Sequence, residues 1–248
     1  MNNHTRWYRE HHASGRWECY GVKIETTDLY IRSTANHGDI AEKMVKELRN
    51  QVRRHAEQRP EFLTAMSPLD EPEELSPILQ RMYRSSRAAG VGPMAAVAGA
   101  VAEMTGEAIA EKSDEVIVEN GGDIWMKLTQ PALISLYAGR SNFSGRFNLK
   151  IYPEQTPMGI CSSSGRFGHS FSLGRADLVT VTSPSASLAD AVATGACNLV
   201  SGEDDLQKSV AYAMSVEGVG GILCIYWDTM AMQGDIELCA PETENESI

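Results

Sequence analysis

Hydrophobic positions along the chain fall into short β-type runs and longer helical stretches. Residues 17–33 contain two β-rich runs around a polar turn, a pattern that predicts a hairpin. Next, Ile40, Met44 and Leu48 recur on one face of a predicted helix that begins near residue 39 and ends before Pro60.

The same reasoning predicts the remaining elements. Residues 62–77 contain several prolines and an acidic run, so we expect a loop there. Further helices are predicted over residues 76–88, 94–112, 185–200 and 204–214. Further strands are predicted as a pair within residues 115–128 and as a second pair over 132–138 and 146–152, joined by a polar loop. Four more are predicted over 158–163, 177–183, 220–227 and 235–240.

The predicted order of elements repeats along the chain. Two strands, helices and two strands are followed by a similar series, which predicts an α+β fold with pseudo-repeats at about 17–128 and 129–240. An ordinary α+β sandwich of sheet and helices is the simpler alternative. We expect a single domain over residues 17–240, a flexible segment at 1–16 and an acidic tail at 241–248.

Charge and cysteine usage narrow the classes of function. The chain has 22 Lys and Arg against 33 Asp and Glu, a net charge of -11, so no basic surplus exists to neutralise nucleic-acid phosphates. Its five cysteines include no C-x-x-C pair, which favours reduced thiols in the cytoplasm. No stretch approaches the ~18 apolar residues of a membrane span, and the polar N-terminus is not typical of a signal peptide. We therefore expect neither a nucleic-acid partner nor a membrane.

One predicted helix carries a candidate metal site. Asp190 and Thr194 lie four residues apart, which places a carboxylate and a hydroxyl on one face of the helix over 185–200. Mg²⁺ prefers such hard oxygen ligands, with water and phosphate completing its octahedron. Alternatively, Asp190 is an early-helix charge favoured by the helix dipole, and Thr194 is an ordinary packed residue.

A predicted turn between two strands offers a ligand-binding backbone. The turn comprises Asn120, Gly121, Gly122 and Asp123. The two glycines can adopt positive φ, which would let a ligand approach the main chain closely. An ordinary hairpin explains the glycine pair equally well.

A polar loop and one histidine complete the candidate residues. The loop comprises Ser162, Ser163, Ser164 and Gly165. Its backbone donors suit a phosphate or an adenine edge, although serine-rich loops are more often only solvated. His169 suits a general base because imidazole titrates near neutral pH. A histidine bonded to the backbone within a strand is the alternative.

Three stretches carry a resemblance to a known family. They read VENGGDIW at 118–125, SSSGRFGH at 162–169 and VTVTSPSASLADAVATGACN at 179–198. In order and spacing they resemble segments of ApbE enzymes, which transfer FMN from FAD to a Ser or Thr of a target protein. Residues 91–103 and 168–177 resemble a smaller, largely uncharacterised family of cytosolic ApbE relatives in bacteria and archaea. The resemblance to that family extends over nearly the whole chain.

The resemblance implies both a fold and a site. The fold is an ApbE-like T-fold, built from tandem strand-strand-helix-helix-strand-strand units. The site would hold Mg²⁺ at Asp190 and Thr194, with a flavin nucleotide, FAD or FMN, beside the turn at 120–123 and the loop at 163–165. His169 would act as the base toward a protein hydroxyl. The partners would then be the flavin nucleotide or another small anion, and a protein that receives FMN.

Two other classes of function stay open. ApbE enzymes carry Asp-Pro and Thr-Gly soon after the histidine, whereas here residues 170–174 read SFSLG. One alternative is a non-catalytic accessory protein that keeps the pocket. For such a protein, the resemblance suggests an accessory role in the sulfur assimilation of anaerobes. A structural homo-oligomer is the other. Cys161 and Cys197 adjoin the family-like stretches, and a buried apolar thiol is the preferred interpretation of each.

Overall fold

The computed structural model describes residues 15–165 and 174–241, and in that part of the chain eight strands form one antiparallel sheet. Its α-helices are α1 (Gly38–Gln58), α2 (Pro77–Ala89), α3 (Val97–Ala110), α4 (Ala186–Asn198) and α5 (Leu206–Met214). Its strands are β1 (Glu18–Ile24), β2 (Thr27–Ser33), β3 (Val116–Asn120), β4 (Asp123–Lys127), β5 (Ala132–Ser135), β6 (Asn148–Ile151), β7 (Met158–Ser163), β8 (Leu178–Ser183), β9 (Gly221–Tyr226), β10 (Thr229–Gly234) and β11 (Leu238–Cys239). The mixed helix and antiparallel-strand fold predicted from the sequence is confirmed.

The order of strands brings four connections to one end of the large sheet. The order is β1-β2-β3-β4-β7-β8-β9-β10, and the smaller sheet has the order β11-β6-β5. Neighbouring strands of the large sheet run antiparallel, so the connections that follow β1, β3, β7 and β9 lie at the same end. We call this end the hairpin edge, and it includes the turn at residues 121–122 that the sequence singled out.

Alternation along the strands divides the apolar side chains into two layers. Val118 and Trp125 belong to the core beneath the helices, whereas Ile117, Met126 and Ile160 belong to the core beneath the small sheet. Successive side chains of a strand point to opposite faces, so adjacent residues serve different cores. The result is a layer of helices, the large sheet and then the small sheet.

The last two strands of the chain differ from the prediction. The run over 235–240 was expected to be a strand, but only Leu238–Cys239 is one, and it joins the small sheet. Strand β10 was not predicted, because its sequence TMAMQG is poor in β-branched residues. It forms because Trp227 turns the chain back at φ 51°, with its N–H donating to Asp177 Oδ2 at 2.6 Å. The tandem-unit T-fold assignment stays a prediction.

Helices α2 and α3 meet at a sharp bend. The chain bends by 107° between the segments Pro77–Ala89 and Pro93–Ala110. Among the described residues no single helix has both the length and the apolar character that crossing a bilayer requires, and this bent pair meets the criterion by length and composition alone.

Glu115 ties the start of the described chain to the sheet. Its side chain is only 6% exposed and accepts hydrogen bonds from Arg16 Nε at 2.8 Å, Trp17 Nε1 at 3.0 Å and the Thr129 amide at 2.8 Å. Burial opposes its ionisation, but the hydrogen bonds from Arg16 and Thr129 outweigh burial and lower the pKa of Glu115 to about 2. The ionised carboxylate therefore favours the folded state.

We expect Glu115 to make stability depend on pH in the acid range. Because its pKa is lowered on folding from the usual 4.5 to about 2, its contribution is present above the higher value and is lost as pH falls toward the lower one. Urea unfolding should show a loss of about 3 kcal/mol from this group between about pH 5 and about pH 2. Glu115→Gln should remove that dependence, whereas Glu111→Gln, at an exposed site, should retain it. Equal pH profiles for the two variants would refute the assignment.

Candidate functional site

The turn between β3 and β4 at the hairpin edge has the predicted conformation. Gly121 and Gly122 adopt φ values of 73° and 112°. The Gly122 amide donates to Glu119 Oε1 at 3.1 Å, and Asn120 Nδ2 donates to the Ala98 carbonyl at 3.1 Å. The turn is therefore tied to the first turn of α3, and Asn120 acts as the link between strand and helix.

Asp123 follows this turn and lies buried on the helix-facing side of β4. It is 5% exposed, and its Oδ1 accepts the Ser162 amide at 3.3 Å. The thiol of Cys161 interacts with the same carboxyl and donates to the Ala186 carbonyl at 3.2 Å. Burial raises the pKa of Asp123 to about 7 and the Glu119 charge adds to this rise, although the contacts with Ser162 and Cys161 lower it.

Asp190 reaches the same place from α4. The helix starts after Ser185, whose hydroxyl accepts the Leu188 amide as an N-cap. One turn into the helix, partly exposed Asp190 accepts the Gly99 amide through Oδ2 at 2.8 Å. Burial, followed by the charge of Asp123, raises the pKa of Asp190 well above its usual range. The carboxyl of Asp123 in the sheet and the carboxyl of Asp190 in the helix layer therefore lie close enough to repel each other.

Asp123, Asp190 and the Cys161 thiol form what we call the acidic cluster. Burial and the charges of the two carboxyls raise the pKa of Cys161, so its thiol is protonated and acts as a donor. A cation placed beside the carboxyls would relieve their repulsion and favour their ionised forms. In residues 15–165 and 174–241 no three His, Cys, Asp or Glu side chains are grouped closely enough to hold a metal ion. Any ion here therefore needs oxygens from hydroxyls, water or a ligand.

One buried hydroxyl supports an oxygen-rich ligand at this position. Ser163 is 4% exposed, and its Oγ has no hydrogen-bond partner within the described part of the chain. It follows Cys161 by two residues on β7, so both side chains point to the helix-facing side. Buried hydroxyls are usually paired, so Ser163 is suited to a partner that the protein atoms described here do not supply.

Of the other predicted site residues, one lies on the same helix as Asp190, and another points away from the site. Thr194 lies one turn after Asp190 on α4, as the spacing of four residues predicts. It is partly exposed. Ser162 was placed in the binding loop, but its hydroxyl pairs with Thr180 Oγ1 at 2.9 Å on the opposite side of the sheet. The strand continues through Ser162, so its side chain alternates away from Asp123. Only its amide reaches the site.

Three further predictions concern the segment after β7. The Gly165 amide donates to the Ala176 carbonyl at 3.0 Å, so this donor is used inside the protein. Ser164 directly follows β7 at the hairpin edge. His169 lies outside the described residues. The assignments of Gly165 and Ser164 to ligand binding and of His169 to base catalysis stay predictions.

A cavity of about 480 Å³ that was not predicted lies beside the start of α3. It is enclosed by α1, α3 and the hairpin edge, and its lining includes Asn120 and Ala98, the residue before the Gly99 whose amide contacts Asp190. Its walls are partly apolar, with Val97 from α3 and Leu63 from the 3₁₀ turn Pro60–Leu63 that follows α1. Arg49 of α1 also lines the cavity, and it donates to Thr27 Oγ1 at 2.7 Å and to Glu25. The volume is within the range of small-molecule sites.

Contacts of α3 with α4 were also missed. The Gly99 amide of α3 donates to Asp190 of α4 at 2.8 Å, within the run of small residues at 91–103. A Cβ on Gly99 would lie 2.2 Å from the Ala186 carbonyl oxygen, so only glycine permits this approach. The small-residue run was the available signal, and it indicated close packing without naming the partner.

Comparison with known proteins assigns the chain to a family. The family model described as AbpE bacteria matches residues 9–218. The chain belongs to this family. It is 40% identical over 202 residues to UPF0280 protein MK0206 of Methanopyrus kandleri, covering 79% of this chain and 81% of that protein. It is 35% identical over 226 residues to UPF0280 protein MJ1526 of Methanocaldococcus jannaschii, covering 89% and 92%.

Solved structures show the same fold for this family member. The flavin transferase ApbE from Vibrio cholerae superposes with a TM-score of 0.59 at 14% identity, covering 88% of this chain and 96% of that protein. The ApbE protein from Thermotoga maritima superposes with a TM-score of 0.51 at 12% identity, over 88% and 96%. At such low identity the likeness shows the fold alone, and it confirms the ApbE-like resemblance.

Proposed function

We propose that the chain binds the flavin nucleotide FAD together with Mg²⁺ at the acidic cluster and transfers FMN to a hydroxyl of another protein. The observation that carries the proposal is the electrostatic contact of Asp123 with Asp190, whose partner Gly99 follows a residue lining a cavity of about 480 Å³. The fold shared with a Vibrio cholerae protein described as a flavin transferase supports the choice of ligand.

The donor set at the cluster fits Mg²⁺. Asp190 and Thr194 would hold the ion, because a carboxylate and a hydroxyl one turn apart present two hard oxygens to the same space. The Gly99 amide holds Asp190 Oδ2 in place at 2.8 Å, and the Ala98 amide also contacts this carboxyl, so the orientation of Asp190 is fixed before a cation binds. The ion would neutralise charge on the pyrophosphate of the nucleotide and make its phosphorus easier to attack.

The cavity and the strand ends would hold the rest of the nucleotide. The apolar side chains of Val97 and Leu63 suit a planar ring and exclude water from it. Gly121 and Gly122 tolerate positive φ because they carry no Cβ, and for the same reason a ligand could approach the main chain of this turn closely. The Ser163 hydroxyl, which has no partner in the described chain, would donate to a phosphate oxygen.

The transfer itself is a displacement at phosphorus. The oxygen of the acceptor hydroxyl forms a bond to the phosphorus of the FMN part, and the bond from that phosphorus to the bridging oxygen breaks. AMP leaves with the electron pair of the broken bond, and a base takes the hydroxyl proton. His169 is the proposed base, because its imidazole accepts a proton near neutral pH.

Binding without transfer is the second candidate. Residues 170–174 read SFSLG and lack the Asp-Pro and Thr-Gly that ApbE enzymes carry after their histidine. A protein that retains the acidic cluster and the cavity while lacking those groups would act as a flavin-nucleotide carrier or accessory protein.

Calorimetric titration of the purified protein with FAD, with and without Mg²⁺, tests the proposal. We expect binding that requires Mg²⁺, because the carboxyls of the acidic cluster repel a bare pyrophosphate. Chromatography of the mixture with a hydroxyl acceptor present should then show AMP. Mg²⁺-dependent binding without AMP would select the accessory role, and absence of FAD binding under both conditions would overturn both candidates.

A further inference from the structure

We propose that Glu103 is a positioning residue, which fixes α4 against α3 so that Asp190 stays in place to bind a cation. The inference rests on the proposed function for the role of Asp190, but the positioning itself is a property of the protein without ligands. Glu103 lies on α3, does not belong to the acidic cluster and is 7% exposed.

Glu103 caps a helix other than its own. Its Oε2 accepts the Ser187 amide at 3.0 Å and the Ser185 hydroxyl at 3.1 Å, across a sequence separation of more than 80 residues. These groups form the N-terminus of α4, where amides have no partner within the helix and the helix dipole favours a negative charge. The Glu103 carboxylate therefore accepts hydrogen bonds from donors at the start of α4, the helix that carries Asp190 and Thr194.

The charge of Glu103 is itself balanced inside the protein. Arg81 of α2 pairs with Glu103 Oε1 at 3.0 Å and with Glu107 Oε2 at 2.8 Å. Glu107 is exposed, lies one turn further along α3 and accepts two hydrogen bonds from Arg81 at 3.1 Å and 2.8 Å. Glu103 and Glu107 therefore share a cation, but Glu103 is the one that reaches α4.

Two contacts join α3 to α4 side by side. Gly99 and Glu103 are four residues apart on α3, and their partners Asp190 and Ser187 are three residues apart on α4. Residues with these spacings lie on one face of a helix, so the two hydrogen bonds run next to each other. A single contact would let the helices slide or rock, whereas two contacts fix both their separation and their register. Loss of the Glu103 contact should therefore loosen the hydrogen bond from Gly99 to Asp190.

Amide hydrogen exchange of the ligand-free protein tests the positioning directly. In Glu103→Gln, the Gly99 and Ser187 amides should exchange about tenfold faster than in the wild type, since the carboxylate that accepts the Ser187 amide is replaced by a neutral, weaker acceptor. Glu107→Gln should exchange like the wild type at both amides. Ser185→Ala, which removes one contact to Glu103 together with the N-cap hydrogen bond from Leu188, should shift the Gly99 amide in the same direction. An unchanged Gly99 amide in Glu103→Gln and Ser185→Ala would overturn the proposal.

Mg²⁺ titration in the presence of FAD separates positioning from a purely structural role. Glu103→Gln should weaken the apparent Mg²⁺ affinity about tenfold, with Glu103→Asp recovering part of the loss and Glu107→Gln showing none. A lower melting temperature with unchanged Mg²⁺ affinity and Gly99 exchange would show that Glu103 only stabilises the fold, against the proposal. If wild-type protein binds no FAD, the proposed function fails, and the exchange measurement still decides whether Glu103 positions Asp190.

Discussion

Asp190→Asn is expected to abolish the Mg²⁺-dependent part of FAD binding while leaving the protein folded. Asparagine has the same shape and still accepts the Gly99 amide, but it lacks the charge that attracts a cation. We expect the affinity for FAD in the presence of Mg²⁺ to fall by at least about 100-fold, because removing a ligand should exceed the effect of removing a supporting residue. Calorimetric titration measures the loss.

Stability should not fall in this variant. The carboxyl of Asp190 is disfavoured in the folded state by burial and by the charge of Asp123, so its removal relieves repulsion. Thermal unfolding should give a melting temperature equal to or above that of the wild type. Asp114→Asn, at an exposed site, is the matched control and should change neither property. Retained Mg²⁺-dependent binding in Asp190→Asn would show that Asp190 is not a metal ligand.

Gly99→Ala should disrupt the packing of α3 against α4. Its Cβ would lie 2.2 Å from the Ala186 carbonyl oxygen and 2.8 Å from Asp190 Cβ. Both atoms belong to α4, whose backbone cannot yield locally, so the two helices must separate. We expect the free energy of unfolding to fall by about 3 kcal/mol and Mg²⁺-dependent FAD binding to be lost with it. Urea unfolding and calorimetry measure the two effects.

Gly202→Ala provides the control for that substitution. No atom lies within 4 Å of the added Cβ, and the backbone there is extended, so the free energy of unfolding should change by less than about 0.5 kcal/mol. Similar stability of the two alanine variants would mean that α3 and α4 do not pack as closely as described.

Local patterns in the sequence were sufficient for most elements of the fold. The helix that carries Ile40 and Leu48, and the strands on either side of Gly121 and Gly122, follow from periodicity and turn chemistry over a few residues. Strand β10 could not be predicted this way, because it owes its conformation to pairing with β9 and to the Asp177 contact that holds Trp227.

The candidate site was predictable only in part. Asp190 and Thr194 share a helix face, so their spacing alone placed them together. That Asp123 meets Asp190, and that Ser163 rather than Ser162 points toward them, depends on strand register and on which side of the sheet the helices occupy. Contacts made across long sequence separations, such as the cap that Glu103 provides to α4, leave no pattern in the neighbouring sequence.

The hairpin edge also affects how the ligand preference of this fold could be altered. Strand pairing is set along the length of the sheet, whereas the connections that follow β1, β3, β7 and β9 all project from one end. Thr26 and Asn120, at the turns after β1 and β3, line the cavity, so an exchange of these segments would alter its lining without shifting the strands beneath it. Grafting the two segments between homologues offers a direct route to redesign of the cavity.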